Sequence, residues 1–227
     1  SKKKVLELKG KSAENMQKKE NVKEFLNLPK TFSSPSRAEQ GLVSKGYRNT
    51  VSVMVLKIKN KLTESSRAAV ERAIEEVYSQ KGAVYEQGEY VYAIFSPLVT
   101  KTFKNEISAI KSAQKILNEL TEYNKKFADK IEFGIAVSSG EIKNRVEDKK
   151  LKFTGLGSFI PGAKRIAESA NKQAFLTREV YEKCGAEVKA DRKRTDAGEF
   201  FELREVVDHE KSRKFISDFL KRQKDWL

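Results

Sequence analysis

Cysteine and histidine are almost missing from this chain: its 227 residues contain one of each, Cys184 and His209. A single cysteine excludes an intrachain disulfide and a cysteine-cluster zinc site, and it fits a reducing, cytoplasmic setting. The histidine sits between Asp208 and Glu210 and reads as part of a surface turn. No motif brings a histidine base to Ser138, Ser139 or Ser158, so a serine nucleophile is not indicated. No stretch approaches the roughly 18 uncharged apolar residues that would span a bilayer, and the start carries no signal-peptide pattern. Repeats and low-complexity segments are also lacking. The glycine-rich "TGLGSFIPG" (154–162) is not followed by Gly-Lys-Ser/Thr and does not form a P-loop; its glycines read as a tight loop entering a helix. The first residue is Ser1, so the chain reads as a piece of a longer protein, with room for an upstream membrane anchor or sensor.

What the chain has in plenty is charge. Lys and Arg total 46 against 32 Asp and Glu, a net +14 at neutral pH. Residues 1–48 hold 12 basic and 5 acidic residues, residues 208–227 hold 6 and 4, and residues 49–207 hold 28 and 23. Half of the excess therefore lies in an N-terminal arm, which reads as a solvated linker and argues against specific nucleic-acid binding. Behind a membrane helix, "SKKK" would lie against anionic headgroups, with about 1 kcal/mol per basic residue.

Periodicity divides the chain into a basic arm (1–50), a folded domain (51–207) and an amphipathic tail helix (208–227) carrying Phe215, Phe219 and Trp226. Within the arm, Ser12 caps a helix that Pro29 stops after Leu28, and a Ser/Gly/Pro-rich linker follows. "VSVMVLKI" (51–58) is short and β-branched and predicts a central strand. Thr63 caps a helix to about Gln80, with Ala69, Val70, Ala73, Ile74 and Val77 on one stripe. "AVYEQGEYVYAIF" (83–95) predicts a hairpin turning at Gln87–Gly88. A long helix runs from about Phe103 to Ala128 on a stripe of Phe103, Ile107, Ile110, Leu117, Leu120 and Phe127. A strand at 130–142, a charged flap, a helix after the glycine loop, a short strand, a Thr-capped helix ending at Cys184 and a strand at 199–207 complete the domain; Arg192–Arg194 reads as a solvated turn. This order predicts an α+β, ferredoxin-like sandwich: a mixed, mainly antiparallel sheet with helices packed on it.

Four stretches in this order resemble the catalytic domain of the class III adenylate/guanylate cyclases over residues 51–203. They are "VSVMVLKI", "GAVYEQGEYVYAIF", "IEFGIAVSSGEI" and "FTGLGSFIPGAKRIAESA". The resemblance implies a domain that pairs head to tail, as a homodimer or with a heterologous cyclase-like domain, with active sites between partners. In that family two aspartates hold two Mg²⁺ ions, which activate the ribose 3′-hydroxyl and clamp the attacking and leaving oxygens. An asparagine and an arginine orient the ribose and stabilise the transition state.

Carried over position by position, the first metal aspartate falls on Lys57 and the second on Glu89. The purine-selecting lysine falls on Tyr85, its acidic partner on Thr154 and the asparagine on Pro161, whereas Arg165 matches. An ammonium about 4 Å from a divalent cation is repelled by roughly 8 kcal/mol at an effective dielectric near 20. The expectation is therefore a degenerate domain without two-metal turnover and without a cofactor, acting in signalling or assembly, in which Lys57 either pairs with Glu89 or extends to water from the strand end. The competing expectations are retained nucleotide binding through Lys57 and Arg165, and residual cyclase activity with Mg²⁺ or Mn²⁺ and ATP or GTP. The latter includes a heterodimer in which this chain supplies Arg165.

Overall fold

The structure, a computed structural model, describes residues 48–147, 150–155, 159–195 and 198–207, with backbone pairing alone for residues 144–147, 150–155 and 195. The expected helix Ser12–Leu28, residues 1–47 of the basic arm, Ser158, His209 and the tail helix with Phe215, Phe219 and Trp226 lie outside the described residues, whereas 48–50, assigned to the arm, begin the first strand. Strands β1 (Arg48–Ile58), β2 (Ala83–Gln87), β3 (Tyr90–Phe95), β4 (Phe133–Glu147), β5 (Lys150–Gly155), β6 (Ala174–Leu176), β7 (Val188–Thr195) and β8 (Gly198–Val206) form one sheet. Its order is β2-β3-β1-β4-β6-β8-β7, with β5 paired to β4 off this path. Only β4 and β6 run parallel; the other described pairs are antiparallel.

Strand alternation sorts β1 into two cores. Met54, Leu56 and Ile58 point to the face covered by α1 (Glu64–Ser79), α3 (Asn105–Lys126) and α5 (Arg178–Cys184). Val51, Val53 and Val55 point to the other face, where α4 (Phe159–Ser169) packs Ile160, Ala163, Ile166 and Ala167 against them. Each isoleucine so buried contributes about 1.5–3 kcal/mol. Two glycines of β4 set the height of α4. A Cβ on Gly140 would lie 2.2 Å from the Phe159 ring at the start of the helix, and one on Gly134 would lie 2.1 Å from the Ala167 carbonyl near its end. Lys57 continues the valine row toward the sheet's rim, on the α4 face.

The α1 cap is as expected. The Thr63 hydroxyl accepts from Ser66 N, and the Ser66 hydroxyl accepts from Thr63 N at 2.8 Å. Three local expectations need correction, and one helix was not expected. The long helix begins at Asn105, so Phe103 lies outside it and is 93% exposed, while Phe127 follows its end and is also exposed. A short α2 (Pro97–Thr100) separates β3 from α3, capped by Ser96 with Pro at the first position. Thr177 precedes α5 but makes no cap bond. Arg192–Arg194 is no turn: these residues lie in β7, paired with Glu199, Phe200 and Phe201 of β8.

Candidate functional site

The candidate site forms where β1 ends beside the β2–β3 turn. Gly88 takes a left-handed φ of 60°, and the tight turn it allows sets Glu89 next to the end of β1. There the Ile58 N–H donates to the Glu89 carbonyl at 2.9 Å. Lys57 pairs in register with Tyr90 on one side and Gly134 on the other. Its ammonium donates to the Glu89 carboxylate. The lysine side chain is only 13% exposed against 70% for the glutamate, so a largely covered cation is met by a carboxylate reaching in from solvent.

Tyr90 ties this pair to α4. Lys57 Nζ lies 4.3 Å from the Tyr90 ring centroid and Lys164 Nζ lies 4.2 Å from it, both within cation–π range. The Tyr90 hydroxyl donates to the Glu168 carboxylate. Burial, and then that bond to an anion, push the phenol up to about 12, so it remains a donor. Lys59 completes the attachment: its ammonium donates to the carbonyls of Glu168, at 2.7 Å, and Ala170, at the C-terminal end of α4. Those carbonyls carry the negative end of the helix dipole. Desolvation lowers the Lys59 pKa; Glu132 opposes this and the neighbouring Lys57 adds to it.

The structure thus brings Lys57 and Glu89 together, and no described hydrogen bond or ion pair joins Tyr85, Pro161 or Arg165 to them. Tyr85 is half-buried on the Tyr92 ring, centroids 5.8 Å apart, and Tyr92 in turn stacks on Tyr90 at 6.1 Å. Pro161 and Arg165 are exposed one turn apart on α4, and no described hydrogen bond or ion pair joins Arg165 to Lys57 or Glu89. Pro161 costs the helix little, because the first-turn N–H it lacks has no intrahelical acceptor. Thr154 falls in β5, where only the backbone pairing is described.

Sequence reasoning missed Tyr90, Tyr92, Lys59, Lys164 and Glu168. A signal for part of this set was present. In "YVYAIF" the tyrosines alternate with Val91 and so share a strand face, and Lys164 and Glu168 are four apart on one helix.

The donor set does not suit a pair of divalent cations. Magnesium and manganese seek several carboxylate, carbonyl or water oxygens in octahedral array. Here one position holds an ammonium, and that ammonium occupies the carboxylate of the other. Among the described residues no group of three or more His, Cys, Asp or Glu side chains is gathered for a metal.

No protein-family model matches the sequence, and no curated protein matches it either. Solved structures do. The guanylyl cyclase Cya2 aligns at a TM-score of 0.56 and 15% identity, covering 72% of this chain and 95% of that one. The adenylyl cyclase CyaB from P. aeruginosa aligns at 0.54 and 13%, covering 71% and 96%. The dimeric guanylyl cyclase domain of the RhoGC fusion protein from the aquatic fungus Blastocladiella emersonii aligns at 0.56 and 13%, covering 71% and 98%. The chain has the fold of the class III adenylyl/guanylyl cyclase catalytic domain. Identities this low carry the fold alone.

Proposed function

We propose that residues 51–207 form a cyclase-fold module that has given up two-metal nucleotide cyclisation and serves in assembly, pairing with a second copy or with another cyclase-like domain. One observation carries this reading: the Lys57 ammonium, seated on Tyr90, is ion-paired to Glu89, the one carboxylate left for a metal. A cation delivered by the chain itself neutralises that carboxylate, and a divalent ion arriving there would meet repulsion of several kcal/mol. The apolar surfaces through which two such domains associate need no metal, so they outlast the chemistry.

The test has two arms. The purified chain, assayed with ATP and GTP in Mg²⁺ and in Mn²⁺, forms no cyclic product, and Lys57→Asp gains Mn²⁺ affinity by calorimetry because two carboxylates then converge. Product from the unmodified chain overturns the reading; no gain of affinity in Lys57→Asp removes its geometric basis.

A second reading is favoured by Arg165. Its guanidinium is exposed and makes no ion pair with a described carboxylate, as suits a group offered to a partner's site in a heterodimeric cyclase. Mixing the chain with an active cyclase-fold protein separates the two: a rise in turnover that Arg165→Gln abolishes supports the heterodimer.

A further inference from the structure

The ribbon of β7 and β8 distributes its ion pairs unevenly. Lys189 meets Glu205 at 2.8 Å, Arg204 meets Asp191 at 2.7 Å and Glu202 at 2.9 Å, and Lys193 lies 3.5 Å from Glu202. There three cations face three carboxylates. Toward the tip of the ribbon the balance fails. Glu199 alone receives Arg178 through Oε1 at 2.6 Å and Arg192 through Oε2 at 2.5 Å, with Arg194 at 3.7 Å. Three guanidiniums thus converge on one described carboxylate, while Glu179 and Glu182 act on Arg178 only through space, with no described ion pair to it.

The geometry keeps those charges presented. Arg194 is the register partner of Glu199, Arg192 is two residues earlier on the same side of β7, and Arg178 is the first residue of α5. The carboxylate is covered, at 16% exposed, while the arginines are 57%, 66% and 83% exposed. Hydrogen bonds from Arg192 and Arg178 hold the Glu199 carboxyl down to about 2, so it stays ionised as a brace. A guanidinium has five N–H donors, and Glu199 takes one from Arg178 and one from Arg192. Among the described residues, most of the donors on this surface meet no other acceptor. All three cations are arginines, whose planar forks match phosphoryl oxygens two at a time.

We propose that Arg178, Arg192 and Arg194, braced by Glu199, form a binding site for a phosphate monoester. Such a group carries about −1.5 to −2 charge near neutral pH with three acceptor oxygens, which matches three convergent guanidiniums and their donor geometry. A phosphate diester brings half the charge and fewer free oxygens. The site lies away from Lys57 and Glu89 and stands independently of the reading given to them.

The test is calorimetric titration of the full chain with phenyl phosphate, and with dimethyl phosphate at matched ionic strength. Phenyl phosphate binds about tenfold or more tighter than the diester, and Arg178→Gln and Arg194→Gln each weaken it by roughly tenfold, the scale of one charge-assisted hydrogen bond. Lys189→Gln, elsewhere on the same ribbon, leaves it unchanged. Melting curves that superpose on the parent's certify that the variants are folded, and Arg194, the most exposed of the three, makes that outcome the expected one. Equal affinity for the two esters, undetectable binding of phenyl phosphate at about 10 mM, far weaker than ordinary specific sites, or unchanged affinity in Arg194→Gln overturns the proposal.

Discussion

A single lysine changes what the β1–β3 corner can do, but not how firmly it is built. Lys57 and Glu89 form a pair open to solvent on the glutamate side, and such pairs contribute about 0–1 kcal/mol. Their importance is chemical: on the function proposed above, the ammonium competes with a metal for that carboxylate. Glu199 is a residue of the opposite kind, whose charge state the fold controls. Bonds from Arg192 and Arg178 lower its pKa from 4.5 to about 2. A lowered carboxylate pKa means that the folded state prefers the ionised form, so its stabilisation is complete above the ordinary carboxylate range and drains away as pH falls from 4.5 toward 2. Urea midpoints should therefore drop across that window, and Glu199→Gln should make the drop shallower. A parallel shift of the two curves would mean that the arginines give the folded carboxylate no special preference.

Helix α4 shows how an element is placed by what its neighbours leave out. Gly134 and Gly140 let it lie close on β4, and Lys59, Tyr90 and Lys164 fasten its far half to the rim of β1 and β3. Gly134→Ala would drive a methyl group into the carbonyls of Ala167 and Ala170, which are backbone and cannot swing aside. The expected cost is about 1–3 kcal/mol, as for other overpacked sites, read as a lowered unfolding midpoint. Most elements were legible because their patterns are strong: the β-branched run of β1, the stripe of α1 with its Thr63 cap, the Gly88 hairpin. β7 was not, because "KADRKRT" has no apolar alternation beyond Val188 and Ala190 and owes its pairing to β8. Phe103 was misplaced because its spacing fits the α3 stripe although the helix starts two residues later. At the site, Lys57 and Glu89 could be paired from the resemblance to a known hairpin. Tyr90 and Lys164 could not, since ring-to-ammonium contacts leave no spacing rule in a sequence.

At the scale of the whole molecule the sheet has two unlike ends. β2 is a short rim of five residues with Glu86 and Gln87 exposed, and β7 is a longer one studded with Lys189, Asp191, Arg192, Lys193 and Arg194. No described helix is long and apolar enough to cross a membrane. Light scattering across a wide concentration range should give a mass that levels off at a small whole number of chains; a mass that keeps climbing would contradict this. The reason lies in the charged rim of β7. A strand that docked there would bring its own backbone alongside a fence of solvated cations and carboxylates, which natural sheets use to refuse further strands. Growth from that rim is thereby disfavoured, and the plateau in mass reads whether copies that meet do so elsewhere and stop at a fixed number.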